Sequence, residues 1–283
     1  LGQNGGGGKD LLVATKIAGL PKIYALAAGG DTTCAVAQDG QTWCWGAGNG
    51  KQNGSPTASK ALTPIKVGSG KFYMVRLGKT HGCGLQLDGG VSCWGSNGHF
   101  ILGGPSCTTS HTPIDIQTLH GLAGIGGGYY HMCAIDKYGD LRCWGANGWG
   151  AFGIGTTGGN YRVPQLAKGG YKYLQVRGGE GFTCALRNDG KVVCTGIGQY
   201  GQLGCSAPAY SPPPHEKDFG PPPGLNDIIS VDTGGGHTCA MRADMAVFCW
   251  GHNNYGQLGL GDSNARGDAP NEMGDYLPYV DLG

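Results

Sequence analysis

The sequence predicts an all-β fold, a β-propeller of four-stranded blades, and three observations lead there. A motif with two cysteines ten residues apart recurs five times along the 283 residues, from Cys34 to Cys249. The first cysteines of successive copies lie 49, 50, 51 and 55 residues apart, a period typical of small repeated units. Short apolar runs precede each motif and are separated from it by a Gly-rich bend. Each repeat therefore contains an outer edge strand, a buried strand and the two strands of a cysteine hairpin.

The hairpin loop follows from the cysteine spacing. A ten-residue separation places one residue at the midpoint, so two facing cysteines require a loop with an odd number of residues. Four of the five loops end in Gly, at the position where a three-residue hairpin loop needs a left-handed backbone. Met245 is the exception, and we expect it to cost its hairpin about 1 kcal/mol. The loops are residues 38–40, 87–89, 137–139, 188–190 and 243–245.

Facing cysteines in such hairpins predict disulfides. Directly opposed residues have Cα separations of roughly 4.5–5.5 Å, which disulfides accept. The alternatives are buried free thiols and metal ligation, and no Cys-x-x-Cys pair typical of zinc sites is present. Disulfides persist in oxidising compartments, so we expect an extracellular or cell-surface protein. The predicted pairs are Cys34–Cys44, Cys83–Cys93, Cys133–Cys143, Cys184–Cys194 and Cys239–Cys249.

Two cysteines stand outside this pattern. Cys107 and Cys205 follow the hairpins of the second and fourth repeats, in loops that should open on the same face. The chain has 12 cysteines, so with ten paired these two remain for each other. We expect a bond within one chain, and the alternative is a bond between Cys107 of one chain and Cys205 of another.

The repeats divide the chain, which we interpret as a single domain over residues 1–283. We expect six blades, five complete and one split between the termini, with seven if further residues belong to the chain. In this interpretation residues 277–282 form the buried strand of the split repeat, and Val280–Leu282 pair near Leu11–Ile17. The repeats are residues 23–70, 72–120, 122–170, 172–225 and 227–275, and the split repeat joins 277–283 with 1–20.

Composition excludes several function classes. The formal net charge is +1 with 14% charged residues, and no Lys/Arg cluster indicates a nucleic-acid partner. No apolar run approaches 18 residues, so we expect no insertion into a membrane. We predict neither catalysis nor a cofactor, because no Ser-His-Asp arrangement, nucleophile elbow or phosphate loop occurs. His81, His131 and His237 share one repeat position with Thr32 and Phe182, which favours packing over metal binding.

The motif Gly-Gly-x-His-Thr-Cys-Ala…Cys-Trp-Gly-x-Asn-x-x-Gly-Gln-Leu-Gly resembles the regulator of chromosome condensation repeat. Residues 234–260 match it best, and residues 178–204 follow, with Thr195 in place of the Trp. The resemblance implies a propeller, typically seven-bladed, that binds partners. The family's founding member is a nuclear exchange factor for a small GTPase. The paired cysteines here look more like secreted bacterial members and the ectodomains of crinkly-type plant receptor kinases.

Aromatic residues in the loops after the hairpins are the candidate binding residues. If exposed, they would anchor a protein partner, a second copy of the chain or, as an alternative, a stacked sugar. The other interpretation is that they fold back on their own blades. Asn53-Gly54-Ser55 also forms a glycosylation sequon in such a loop, so Asn53 is a candidate modification site. The aromatic candidates are Trp149, Phe152, Phe100, Tyr200 and Tyr255.

Overall fold

A computed structural model describes residues 16–104, 108–205, 216–220, 222 and 224–283. The chain separates into two compact units, Leu1–Leu122 and Ala123–Gly283. In the part described, regular structure is β-strand apart from one 3-10 turn at Gly274–Tyr276. No helix among these residues is both long and apolar enough to cross a membrane.

The first unit contains one antiparallel sheet of seven strands, which lie side by side in chain order. It consists of two four-stranded groups that share the central strand of the sheet. The shared strand is Lys60–Leu77. Its first half pairs with the preceding hairpin, Cys44 opposite Ile65, and its second half with the following one, Phe72 opposite Gln86. The strands are β1 (Ile23–Gly29), β2 (Thr32–Ala37), β3 (Gln41–Ala47), β4 (Lys60–Leu77), β5 (His81–Gln86), β6 (Val91–Gly95) and β7 (Ser110–Asp115).

The second unit contains three antiparallel sheets, two of four strands and one of three, so the predicted four-stranded sheets are confirmed. Consecutive strands pair throughout. The first sheet is β8 (Leu122–Gly127), β9 (His131–Asp136), β10 (Leu141–Ala146) and β11 (Asn160–Leu166). The second is β12 (Tyr173–Gly178), β13 (Phe182–Arg187), β14 (Val192–Gly196) and β15 (Glu216–Gly220). The third is β16 (Ile228–Thr233), β17 (His237–Arg242) and β18 (Val247–Gly251).

The cysteine hairpins have the predicted register. In each of them the two cysteines are directly opposed and bonded, with Cα separations of 4.0–4.1 Å. The third loop position is left-handed in all five, including Met245 with φ 71°. The five predicted disulfides and their loop type are therefore confirmed.

Three of the disulfides, Cys34–Cys44, Cys133–Cys143 and Cys184–Cys194, pack in apolar clusters with residues of the following strand group. In the first unit Cys34 and Cys44 pack in one cluster with Phe72 and Val75 of the next strand group. The recurring tryptophans complete this interior: Trp94 is fully buried and its Nε1 donates a hydrogen bond to the Gln52 carbonyl at 2.9 Å. Trp250 donates in the same way to Gln202 at 3.0 Å. In the fourth repeat Thr195 replaces the Trp and donates its hydroxyl to the Gly150 carbonyl at 2.9 Å.

The edge of the last sheet differs from the prediction. The last repeat has no continuous outer edge strand among residues 252–283; Arg266 bridges to Gly251 and Tyr279 bridges to Phe248 instead. Tyr279 thus lies at the outer edge of its own sheet, whereas we assigned residues 277–282 to the buried strand of a split repeat. The predicted partner segment, Leu11–Ile17, lies largely outside the described residues. The sequence also did not predict β15, which the proline-rich stretch around it obscures.

Candidate functional site

The loops that follow the hairpins share one backbone path, made of two successive turns. In the third repeat the Gly150 N–H donates to the Asn147 carbonyl at 3.0 Å, and Gly153 donates to Gly150 at 3.2 Å. The residue between the turns is left-handed in every copy. These residues are Lys51, Phe100, Gly150, Gly201 and Gly256, with φ of 62–79°.

A buried asparagine holds this loop in three repeats. Asn147 Oδ1 accepts from the Phe152 N–H at 3.1 Å, and its Nδ2 donates to the Thr156 carbonyl at 3.0 Å. Asn97 and Asn253 accept in the same way from Leu102 and Leu258. The asparagine satisfies backbone groups that would otherwise be buried without partners. We assigned these asparagines no role from the sequence, although the Cys-Trp-Gly-x-Asn motif contains them.

Asn53, the candidate glycosylation site, lies inside the fold. The first repeat has Gly48 at the anchoring position, and Asn53 fills that space from farther along the loop. Asn53 is 0% exposed, its Nδ2 donates to the Ala58 carbonyl at 3.3 Å, and its Oδ1 accepts from Ser55. The nitrogen that would carry the sugar is therefore buried and hydrogen-bonded inside the fold.

Phe152 is not available for binding either. It is fully buried, with its ring centroid 5.6 Å from Tyr161 and 6.1 Å from His131. Its repeat position is the one occupied by Leu102 and Leu258, which are also buried. Phe100 is partly buried and belongs to the first unit.

Trp149 and Tyr200 are exposed and lie in consecutive loops of the second unit. Their exposed fractions are 39% and 41%. Each ring lies against a glycine of the next repeat: a Cβ atom on Gly181 would overlap the Trp149 indole, and one on Gly236 would lie 3.4 Å from Tyr200 Cδ2. Glycine at these places lets a flat ring lie directly on the backbone.

These rings border a cleft of about 460 Å³. Tyr200 and His252 have ring centroids 4.7 Å apart, and Tyr255, which is 90% exposed, meets His252 edge-on at 6.1 Å. The structure thus brings Trp149 and Tyr200 to one site with Tyr255 beside it. Sequence reasoning missed Glu180 and His252, whose repeat neighbours gave no signal. The main residues that line the cleft are Trp149, Glu180, Gln199, Tyr200, Gly236 and His252.

Glu180 gives the cleft its charge. Its backbone N–H donates to the Gly235 carbonyl at 2.8 Å, which fixes the chain at the cleft wall. Within residues 123–205 and 224–283, no hydrogen bond or ion pair engages its carboxylate. His252 Nδ1 lies 3.0 Å from the Gln257 amide nitrogen, which donates to it. The cleft therefore combines aromatic walls with one exposed negative charge.

Two of the histidines that precede the hairpin cysteines, His81 and His131, are buried. His131 is buried, shares a 2.7 Å hydrogen bond with Thr183 Oγ1, and burial lowers its pKa to about 4. Burial also lowers the pKa of His237, with a further contribution from His252 nearby. No group of three or more His, Cys, Asp or Glu side chains in the described ranges could hold a metal ion.

Comparison with known proteins identifies the repeats. The model for the regulator of chromosome condensation (RCC1) repeat matches residues 174–202 and 228–257, and a second model of that name matches residues 246–273. The human probable E3 ubiquitin-protein ligase HERC4 is 34% identical over 110 residues, covering 37% of this chain and 10% of that protein. The ultraviolet-B receptor UVR8 of Arabidopsis thaliana is 35% identical over 92 residues, covering 32% and 20%.

A solved structure extends the likeness to the whole fold. Prp20p from Saccharomyces cerevisiae, described with its binding properties to Gsp1p and histones, superposes with a TM-score of 0.76 at 20% identity. The match covers 92% of this chain and 63% of that one, whereas the chain matches only a tenth and a fifth of the two relatives' lengths. Residues 174–202 and 228–273 therefore match the regulator of chromosome condensation repeat, and the chain shares a β-propeller fold with Prp20p.

Proposed function

We propose that this chain is an extracellular or cell-surface protein-interaction module that binds a protein partner through the cleft and catalyses no reaction. The observation that carries the proposal is the cleft between Trp149 and Tyr200, whose large rings stay about 40% exposed. Exposed aromatic side chains on a rigid support are the residues that most often dominate binding energy at protein interfaces. The structural neighbour Prp20p is described as binding proteins, which supports the same use of the fold.

The disulfides support the extracellular part of the proposal. Five described hairpins are each closed by one bond, and such bonds form and persist in oxidising environments. A reducing compartment would leave ten thiols in the interior of the repeats.

A display screen with matched variants tests the binding role. The folded, oxidised chain is immobilised and presented in parallel with a random peptide library and a glycan array. We expect peptides to be retained by the wild type and lost, by about thirtyfold in affinity, on Trp149→Ala or Tyr200→Ala. Tyr138→Ala is the control, because Tyr138 is 67% exposed in the hairpin loop at the other end of the same sheet as Trp149.

Two outcomes would overturn the proposal. Glycans retained by the wild type and lost on Trp149→Ala would favour the lectin-like alternative. Peptides retained equally by all variants would show that the cleft is not the binding site.

A further inference from the structure

We propose that the cleft recognises the guanidinium group of an arginine side chain on the protein partner, which rests on the proposed function and deepens it. Trp149 and Tyr200 would stack on the planar group, and the Glu180 carboxylate would neutralise its charge.

The charge of the cleft favours a cation. Glu180 is exposed at its wall, and none of the residues lining the cleft is Lys or Arg. Five carboxylates of the second unit have cationic partners, among them Asp232, 3.4 Å from Arg177, and Asp140, 2.7 Å from Lys172. Glu180 has no such partner in the described part of that unit, so a ligand cation would meet an uncompensated negative charge.

The walls favour a flat cation. The faces of Trp and Tyr rings attract cations within about 6 Å of the ring centroid, Trp most strongly. The glycines behind Trp149 and Tyr200 hold each ring against backbone, which lowers the entropy lost when a ligand stacks on it.

The same chain already holds its own arginines in this way. The Arg187 guanidinium lies 3.8 Å from the centroid of the Tyr171 ring, and it bonds Asp189 at 2.6 Å. Arg242 repeats the arrangement, 5.0 Å from the Phe248 ring and 2.7 Å from Asp244. A ring and a carboxylate thus hold a guanidinium twice within the second unit, and the cleft offers both groups to an outside residue.

Arginine fits these groups better than lysine. A guanidinium is planar, stacks on aromatic faces and donates two parallel hydrogen bonds to one carboxylate, whereas an ammonium is a compact, strongly hydrated point charge. A cleft of about 460 Å³ also accommodates the whole side chain.

A titration with small probes tests the guanidinium directly. N-acetyl-arginine amide is added to the oxidised chain, and the indole N–H signal of Trp149 is followed by NMR, with Trp149→Phe used to assign it. We expect saturable shifts at millimolar concentrations, as is usual for so small a ligand. N-acetyl-citrulline amide, which is nearly the same shape but neutral, should bind at least tenfold more weakly, and the lysine amide should fall between them.

Variants of the carboxylate complete the test. Glu180→Gln keeps the side-chain size and should weaken arginine amide about tenfold, while Asp275→Asn, which removes an exposed carboxylate outside the cleft, should change nothing. Equal binding of arginine and citrulline, or unchanged binding in Glu180→Gln, would overturn the proposal. The titration tests whether the cleft recognises a guanidinium group. The peptide library tests separately whether the cleft binds a protein partner. Cleft-dependent peptides that lack arginine would leave the proposed function standing and refute this inference alone.

Discussion

Met245 adopts a left-handed conformation with φ 71°, at the loop position where the other four hairpins have Gly. A side chain costs about 1 kcal/mol in this conformation. Met245→Gly should therefore raise the free energy of unfolding by about that amount, measured by urea denaturation of the oxidised chain. Gly190→Ala, at φ 75° in the equivalent loop, is the converse control and should lower it by a similar amount. Unchanged stability in both variants would contradict the strain.

His131 makes stability depend on pH. Its pKa falls from its ordinary value of 6.5 to about 4 in the folded chain, so between these values the unfolded chain binds a proton that the folded chain does not. Stability should fall as the pH drops through this window, by about 1.4 kcal/mol per pH unit and about 3 kcal/mol in total. His131→Phe introduces the residue that the fourth repeat has at this position, Phe182. It should remove the part of the pH dependence that comes from His131.

The matched control for His131 is an exposed histidine. His120→Gln, which removes an exposed histidine of the first unit, is measured in parallel. A His131→Phe curve parallel to the wild type from pH 7 to pH 4.5 would refute the assignment.

Single residues show how far the sequence alone could lead. The ten-residue cysteine interval predicted register, loop type and disulfides together, because each depends on local geometry. The burial of Asn53 could not be read from the sequon alone, because it follows from the repeat position that Asn53 shares with the buried Phe152. Glu180 could not be found, because its importance comes from loops that meet only in the folded unit.

At the scale of elements, the loop after each hairpin depends on its asparagine. Asn147→Ala would leave the Phe152 N–H and the Thr156 carbonyl without their partner, and we expect a loss of about 2–3 kcal/mol in unfolding free energy. Asn188→Ala is the control, since Asn188 is exposed in a hairpin loop and should cost less than about 0.5 kcal/mol. The stability of both variants is measured by thermal and by urea unfolding. If Asn147→Ala and Asn188→Ala lowered the free energy of unfolding equally, the anchoring role would be contradicted.

The outer strands were the least predictable elements. Inner strands and hairpins carry regular apolar patterns, but an edge strand has only one partner and tolerates proline and insertions. The edge of the last sheet is therefore made by two separate residues, Arg266 and Tyr279, with a long excursion between them. In the fourth repeat β15 follows a proline-rich insertion that hid it from sequence analysis.

At the scale of the whole molecule, the repeat period predicted the propeller, while the number of blades stays a prediction. The first sheet has an apolar groove of about 940 Å³ beside Ile17, Leu20 and Trp45. Light scattering of the oxidised chain distinguishes a monomer from an assembly.

The pairing of Cys107 and Cys205 is also a question about the whole chain. Cys107 lies outside the described residues, so the bond between them stays a prediction. Non-reducing electrophoresis should give a monomer band with no titratable thiol. A series of multimer bands that is replaced by the monomer band on reduction would show instead that the two residues bond between chains.

The last disulfide, Cys239–Cys249, is more exposed to solvent than the other four. Cys239 is partly exposed and Cys249 is 5% exposed, whereas the cysteines of the other four hairpin bonds are at most 1% exposed. Exchange requires a thiolate to reach a sulfur, so limiting reductant should open Cys239–Cys249 first, and the other four only as fast as the chain unfolds. Timed alkylation and mass spectrometry would display this order. Slower alkylation of Cys239 when another molecule is present would then report that this face of the sheet has been covered.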